Sequence, residues 1–230
     1  MTAAPAPSPS RNYRDAIAHL PPGGTLSFQR VSWEEYEKLV AELGARAGVR
    51  VSYEQGKLEI HMPLPIHEFI KSFIADLMRA LTDELELEMI GLGSTTFNYR
   101  DWSQGVEPDN CFYIQNAARI LGVRRFDPAV PPPAPDIAIE IDITSESLSR
   151  FPTYANLGVP EIWRYDENEI VMYHLTPAGY VSATASETFP FLTTEALSQF
   201  LRRSETEGHR DLLREFREWV REQAAARAAQ

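Results

Sequence analysis

Four carboxylates stand on or beside two short apolar stretches of this chain. Asp109 follows Pro108 and comes just before Cys111-Phe-Tyr-Ile114, while Asp136 follows Pro135 and comes just before Ile137. Glu140 and Asp142 lie within and at the end of Ile137-Ala-Ile-Glu-Ile-Asp142. Polar groups are scarce on buried strands, because each needs a partner there. The two-residue period of a strand puts Asp136, Ala138, Glu140 and Asp142 on one face and Ile137, Ile139 and Ile141 on the other. The small Ala138 leaves room between carboxylates for an ion or a substrate. If the two strands pair, Asp109 and Glu140 converge on one oxygen-rich site. Hard cations such as Mg²⁺ take one or two carboxylates and complete their shell with water and substrate oxygens. On a phosphodiester such an ion neutralises charge, orients the phosphate and activates water. The competing reading is a solvated sheet face, since antiparallel sheets commonly leave one face wet.

The elements that would position these residues are legible in outline. Ser32 and Glu35 form a capping-box pattern, and Trp33, Tyr36, Leu39, Val40 and Leu43 follow at helical spacing up to Gly44. Residues 50–54 and 57–61 alternate apolar and polar around Gln55-Gly56, which predicts a hairpin. Pro63 and Pro65 lead into a long helix with Phe69, Ile70, Phe73, Ile74, Leu77, Met78 and Leu81 on one stripe. Strands are expected at 87–90, 95–99, 110–114, 137–142, 161–165 and 170–175, the last two joined by a turn at Asp166-Glu167-Asn168. A short helix is expected over 148–157, ending at Gly158, and further helices over 194–201 and 207–227. The proline-rich stretch 131–135 is a loop. This order gives an α/β (α+β) domain with a mixed, largely antiparallel sheet flanked by helices. No Gly-rich turn follows a strand, which excludes a dinucleotide fold.

The 230 residues suit one domain with extensions, and no apolar run is long enough to cross a bilayer. The Ala/Pro/Ser-rich residues 1–10 lack the pattern of a signal peptide and read as a disordered lead-in. Ordered structure is expected to start near Leu26, with a core over 26–201 and a charged helical extension over 202–230. The single cysteine, Cys111, rules out an internal disulfide and points to a reducing, cytoplasmic setting. Two residues after Asp109, it reads as a small buried hydrophobe. A net charge of −11 opposes avid, unspecific binding to phosphate backbones, although one cleft can differ in sign from the whole. The arginines between 202 and 221 are interleaved with glutamates and read as a solvated face. Trp163 and Tyr165 read as packing residues.

Several longer phrases are more particular. Ser94-Thr95-Thr96-Phe97, Glu107-Pro108-Asp109, Pro135-Asp136-Ile137-Ala138-Ile139-Glu140 and the run from Tyr154 to Asp166 together resemble the Uma2 family, as does Pro65-Ile-His67-Glu68. The resemblance implies a restriction-endonuclease-like core of the PD-(D/E)xK type and a Mg²⁺- or Mn²⁺-dependent endonuclease acting on DNA. It implies Asp109 and Glu140 as metal ligands, with the carbonyl of Ile141 nearby and Glu68 or His67 completing the shell. The chain departs from the pattern at Asp142, where the superfamily has lysine. Arg150, which lies where many family members place a lysine, is then the candidate to offset phosphate charge. Lys71, one helical turn from His67, is the only lysine that can approach the site. Arginine can clamp a phosphate but cannot serve as a base. Homodimerisation, common among nucleases of this fold, is a further implication. The alternative is a nuclease-fold protein without catalytic activity that serves as a binding or assembly module.

Overall fold

The backbone N–H of Ser32 donates to Glu35 Oε2 and that of Glu35 donates to Ser32 Oγ, at 3.0 and 3.2 Å. This reciprocal cap starts the helix Trp33–Leu43, as its sequence predicts. The computed structural model describes residues 12–43, 48–99, 103–127, 130, 132–143, 150–166 and 169–228. Residues 1–10, Gly44, the turn at 167–168 and the first residues of the helix expected at 148 lie outside them.

In chain order the elements are α1 (Tyr13–Ala18), β1 (Thr25–Phe28), α2 (Trp33–Leu43), β2 (Arg50–Glu54), β3 (Lys57–His61) and α3 (Pro65–Glu84). Then come β4 (Ile90–Gly91), β5 (Phe97–Tyr99), β6 (Gln104–Val106), β7 (Asn110–Tyr113), α4 (Ala117–Ile120), β8 (Ile137–Asp142) and α5 (Phe151–Leu157). The chain closes with β9 (Glu161–Asp166), β10 (Glu169–Thr176), β11 (Gly179–Ala183), α6 (Thr194–Ser204) and α7 (His209–Ala228).

The strands form two sheets, where the sequence suggests one. The first has the order β1-β3-β2-β6-β5 and the second β11-β10-β9-β8-β7-β4. Every pairing is antiparallel except β8 with β9, whose connection carries α5. Gly158 ends α5 at a φ of +77°, a left-handed position that glycine reaches without steric cost.

All six residues of β8 are buried. The wet-face reading of its carboxylates is therefore excluded. Ile137, Ile139 and Ile141 pack with Ile70, Phe73, Ile74 and Leu77 of α3, while Ala138 packs with Cys111, Tyr154 and Ile162 on the opposite face. That is the alternation predicted from the period of two. Between two packed layers the polar members of β8 must be satisfied by protein groups.

Three expectations need correction. The strand expected over 87–90 is reduced to Ile90–Gly91. Ordered chain precedes Leu26, because α1 packs Tyr13 and Ile17 into a cluster with Trp33, Tyr36 and Leu58. The C-terminal helix is more than a charged extension, since Leu212, Phe216 and Val220 join the main core. Among the described residues, no helix is long and apolar enough to cross a membrane.

Candidate functional site

Asn110 faces Ile139 across β7 and β8, so Asp109, one residue earlier, falls beside Glu140, one residue later. The Asp109 N–H donates to the Ile139 carbonyl at 3.0 Å. The Ile141 N–H donates to Asp109 Oδ2 at 2.8 Å. Ile141 thus meets the site through its amide and fixes one oxygen of Asp109. The other oxygen, Oδ1, accepts from Arg50 Nε at 2.8 Å.

Arg50 lies at the start of β2 and links the two sheets. Besides Asp109 its guanidinium reaches Glu68 Oε1 at 3.1 Å, Glu107 Oε1 at 3.6 Å and the Ser94 hydroxyl. Ser94 Oγ in turn donates to the Asp109 carbonyl at 3.1 Å and accepts from Lys71 Nζ at 3.1 Å. Lys71 also meets Glu68 Oε2 at 3.2 Å. Glu68 is the half-open member of the group, its side chain 56% exposed. Nothing in the sequence singles out Arg50, because one arginine on an alternating strand looks like any solvated strand residue.

Glu140 is fully buried. Arg150 Nη1 donates to its Oε2 at 2.7 Å, and the Tyr154 hydroxyl donates to Oε1. Arg150 stands at the N-cap position of α5 and Tyr154 sits one turn on, so a single short helix and its leading residue supply both donors. Burial raises the Glu140 carboxyl well above the usual carboxylate range, and Arg150 and Tyr154 counter only part of that. Against its own desolvation, the Arg150 guanidinium is held protonated by Glu140.

The remaining acids are structural. Asp136 Oδ2 accepts from the Ile114 and Asn116 amides at 2.6 and 3.0 Å, and Oδ1 accepts from the Asn116 side chain at 2.6 Å. Asp142 accepts from Arg164 Nε at 2.5 Å across the parallel pair, which ties it into a β8–β9 ion pair. Cys111 is buried, which pushes its thiol up to about 12 and makes it unfit as a nucleophile. His67 is buried rather than exposed at its helix start, and its ring centroid lies 5.4 Å from that of His61. Desolvation lowers both histidines, so both are neutral at physiological pH.

This geometry can be set beside known proteins. A family model described as "Uma2: Putative restriction endonuclease" matches residues 33–204. The chain belongs to the Uma2 family. A solved structure of similar fold is that of a putative nuclease belonging to DUF820 from Anabaena variabilis ATCC 29413. It has a TM-score of 0.53 and 17% identity, covering 74% of this chain and 99% of that one. No curated protein matches the chain.

Whether this Uma2 chain could hold a cation can be judged from its donors. Asp109 and Glu140 offer the hard oxygen ligands that Mg²⁺ prefers, and such an ion keeps most of its waters, so two carboxylates are enough. By donor chemistry the pair fits. Among the described residues no group of three or more histidine, cysteine or acidic side chains could hold an ion. All four oxygens of the pair already accept from protein donors, two of them from arginines. A cation at this site would therefore share or displace a guanidinium, and Arg50 and Arg150 stand as the site's own counter-charges.

Proposed function

We propose that this Uma2 protein is a Mg²⁺- or Mn²⁺-dependent endonuclease that hydrolyses phosphodiester bonds in DNA. The observation that carries the reading is the placement of Asp109 and Glu140 side by side on two paired strands of a nuclease-family domain, with Arg50, Arg150 and Lys71 around them. Asp109 and Glu140 would hold the cation, and Glu68 would support it from the rim. A bound divalent ion would offset phosphate charge and activate water. Arg150, unable to lose its proton, binds developing negative charge on phosphate oxygens. Lys71, held by Glu68 and Ser94, would approach a phosphate from the α3 side. Asp142 is committed to Arg164 and takes no part. The reading includes a homodimer that cuts two strands and a cytoplasmic setting.

The test is cleavage of supercoiled plasmid DNA with Mg²⁺ or Mn²⁺. Nicking should vanish on chelation and fall by at least about 100-fold in Asp109→Asn, the scale on which a group stabilising transition-state charge acts. Undiminished cleavage by Asp109→Asn would overturn the assignment.

One observation favours a second reading. Because all four oxygens of the pair have protein donors, the same residues could serve purely as a structural lock in a binding or assembly module. Calorimetric titration with Mn²⁺ separates the two. Heat of binding that grows when Arg50→Gln removes the competing cation supports the metal site. No binding by either protein supports the module.

A further inference from the structure

An open cleft of about 450 Å³ is lined by Thr95, Thr96, Asn98, Arg124, Arg125 and Phe126 among others. A second cleft of about 490 Å³ contains Arg50, Glu68, Lys71 and Ser94. Thr96 lines both, so the two clefts adjoin at that residue. The Thr96 hydroxyl donates to Glu107 Oε2 at 3.1 Å, which fixes the wall they share.

The first cleft carries two neighbouring arginines. Arg50, Arg150, Arg164, Arg203 and Arg217 all pair with carboxylates. Arg124 and Arg125 are exposed and make no such pair among the described residues. Two adjacent uncompensated guanidinium groups in a chain of net charge −11 are a local reversal of sign, and the ligand that complements them is an anion. Phe126, which lines the same cleft, stacks on Phe97 with ring centroids 5.7 Å apart and planes 27° apart. Paired guanidinium groups on an open cleft suit a nucleic-acid backbone, whose phosphates meet arginine.

We infer that this cleft carries the phosphodiester backbone of DNA and leads it past Thr96 to the carboxylate site. The inference rests on the nuclease reading for its substrate and concerns the docking path alone. The wild-type protein should bind a fluorescein-labelled duplex at low salt with chelator present, read by anisotropy. Arg124→Ala with Arg125→Ala should weaken binding by at least about 10-fold and reduce the slope of log K against log salt by about 2, one for each phosphate that arginine no longer neutralises. Arg210→Ala with Arg214→Ala, on exposed side chains that pair with Asp211, should leave both values unchanged.

Failure of the wild-type protein to bind the duplex overturns the cleft, as does equal binding by the Arg124/Arg125 variant. Plasmid cleavage with KM unchanged in that variant also overturns it and leaves the nuclease reading standing. Binding that depends on Arg124 and Arg125 without cleavage under any divalent metal sustains the cleft and overturns the nuclease reading.

Discussion

Glu140 shows how a single buried charge couples structure to conditions. Its carboxyl is raised by burial to about 8, whereas the unfolded chain releases the same proton near 4.3. Between those values the folded state holds more protons than the unfolded state. Stability from this group is therefore full below the unfolded value and is lost as pH rises through about 8. His61, lowered to about 4 by burial, acts with the opposite sign, destabilising the fold as pH falls below about 6.5. Glu140→Gln isolates the first effect, since it keeps the shape and cannot ionise. Urea unfolding across the window should show a steeper loss of stability toward pH 8 in the wild-type protein than in Glu140→Gln. Parallel curves would show that the carboxyl does not carry its proton in the fold. At this scale the sequence was informative where a carboxylate interrupted an apolar strand, as at Asp109 and Glu140. It was silent on Arg50, because an arginine becomes a hub only through what three distant segments bring to it.

Helices were legible in this chain wherever an apolar stripe ran for three turns or more. The α3 stripe from Phe69 to Leu81 and the Ser32–Glu35 cap both reappear in the structure. The strand β8 was legible in its full extent, Ile137–Asp142. Strands of two or three residues, β4 and β6, carry no alternation to detect. Nor does local pattern name a strand's partner, so the division into two sheets was invisible. The element β6 shows what decides such a strand: close approach rather than propensity. Gly105 pairs with Tyr53 on one side and Asn98 on the other. A Cβ there would collide with the Tyr36 hydroxyl and Asn98 Oδ1, which hydrogen-bond to each other. Gly105→Ala should therefore destabilise the protein by about 1–3 kcal/mol, the usual cost of overpacking. Chemical denaturation measures it, and an unchanged midpoint would mean that this close approach yields freely.

At the scale of the whole molecule, the family match ends at 204, yet the core continues. The helix α7 lays Leu212, Phe216 and Val220 against α3 and α6, each about 1% exposed or less. Its arginines reach back as well, Arg217 meeting Asp83 and Glu84 at 3.0 and 3.1 Å. Those exposed pairs contribute little. The apolar side chains decide the matter: full burial of each contributes about 1.5–3 kcal/mol. Three of them approach the net stability of a typical domain, about 5–15 kcal/mol. Their removal would also uncover Phe73, Leu77 and Leu201 on the layer that supports β8. Because Ile137, Ile139 and Ile141 rest on that layer, loosening it would disturb Glu140 on the opposite face. A chain shortened to end at Ser204 should thus lose its cooperative thermal transition or melt far below the full chain by circular dichroism. It should also lose any divalent-metal binding, although every site residue is still present. A shortened chain that melts within a few degrees of the full protein would show that α7 is dispensable.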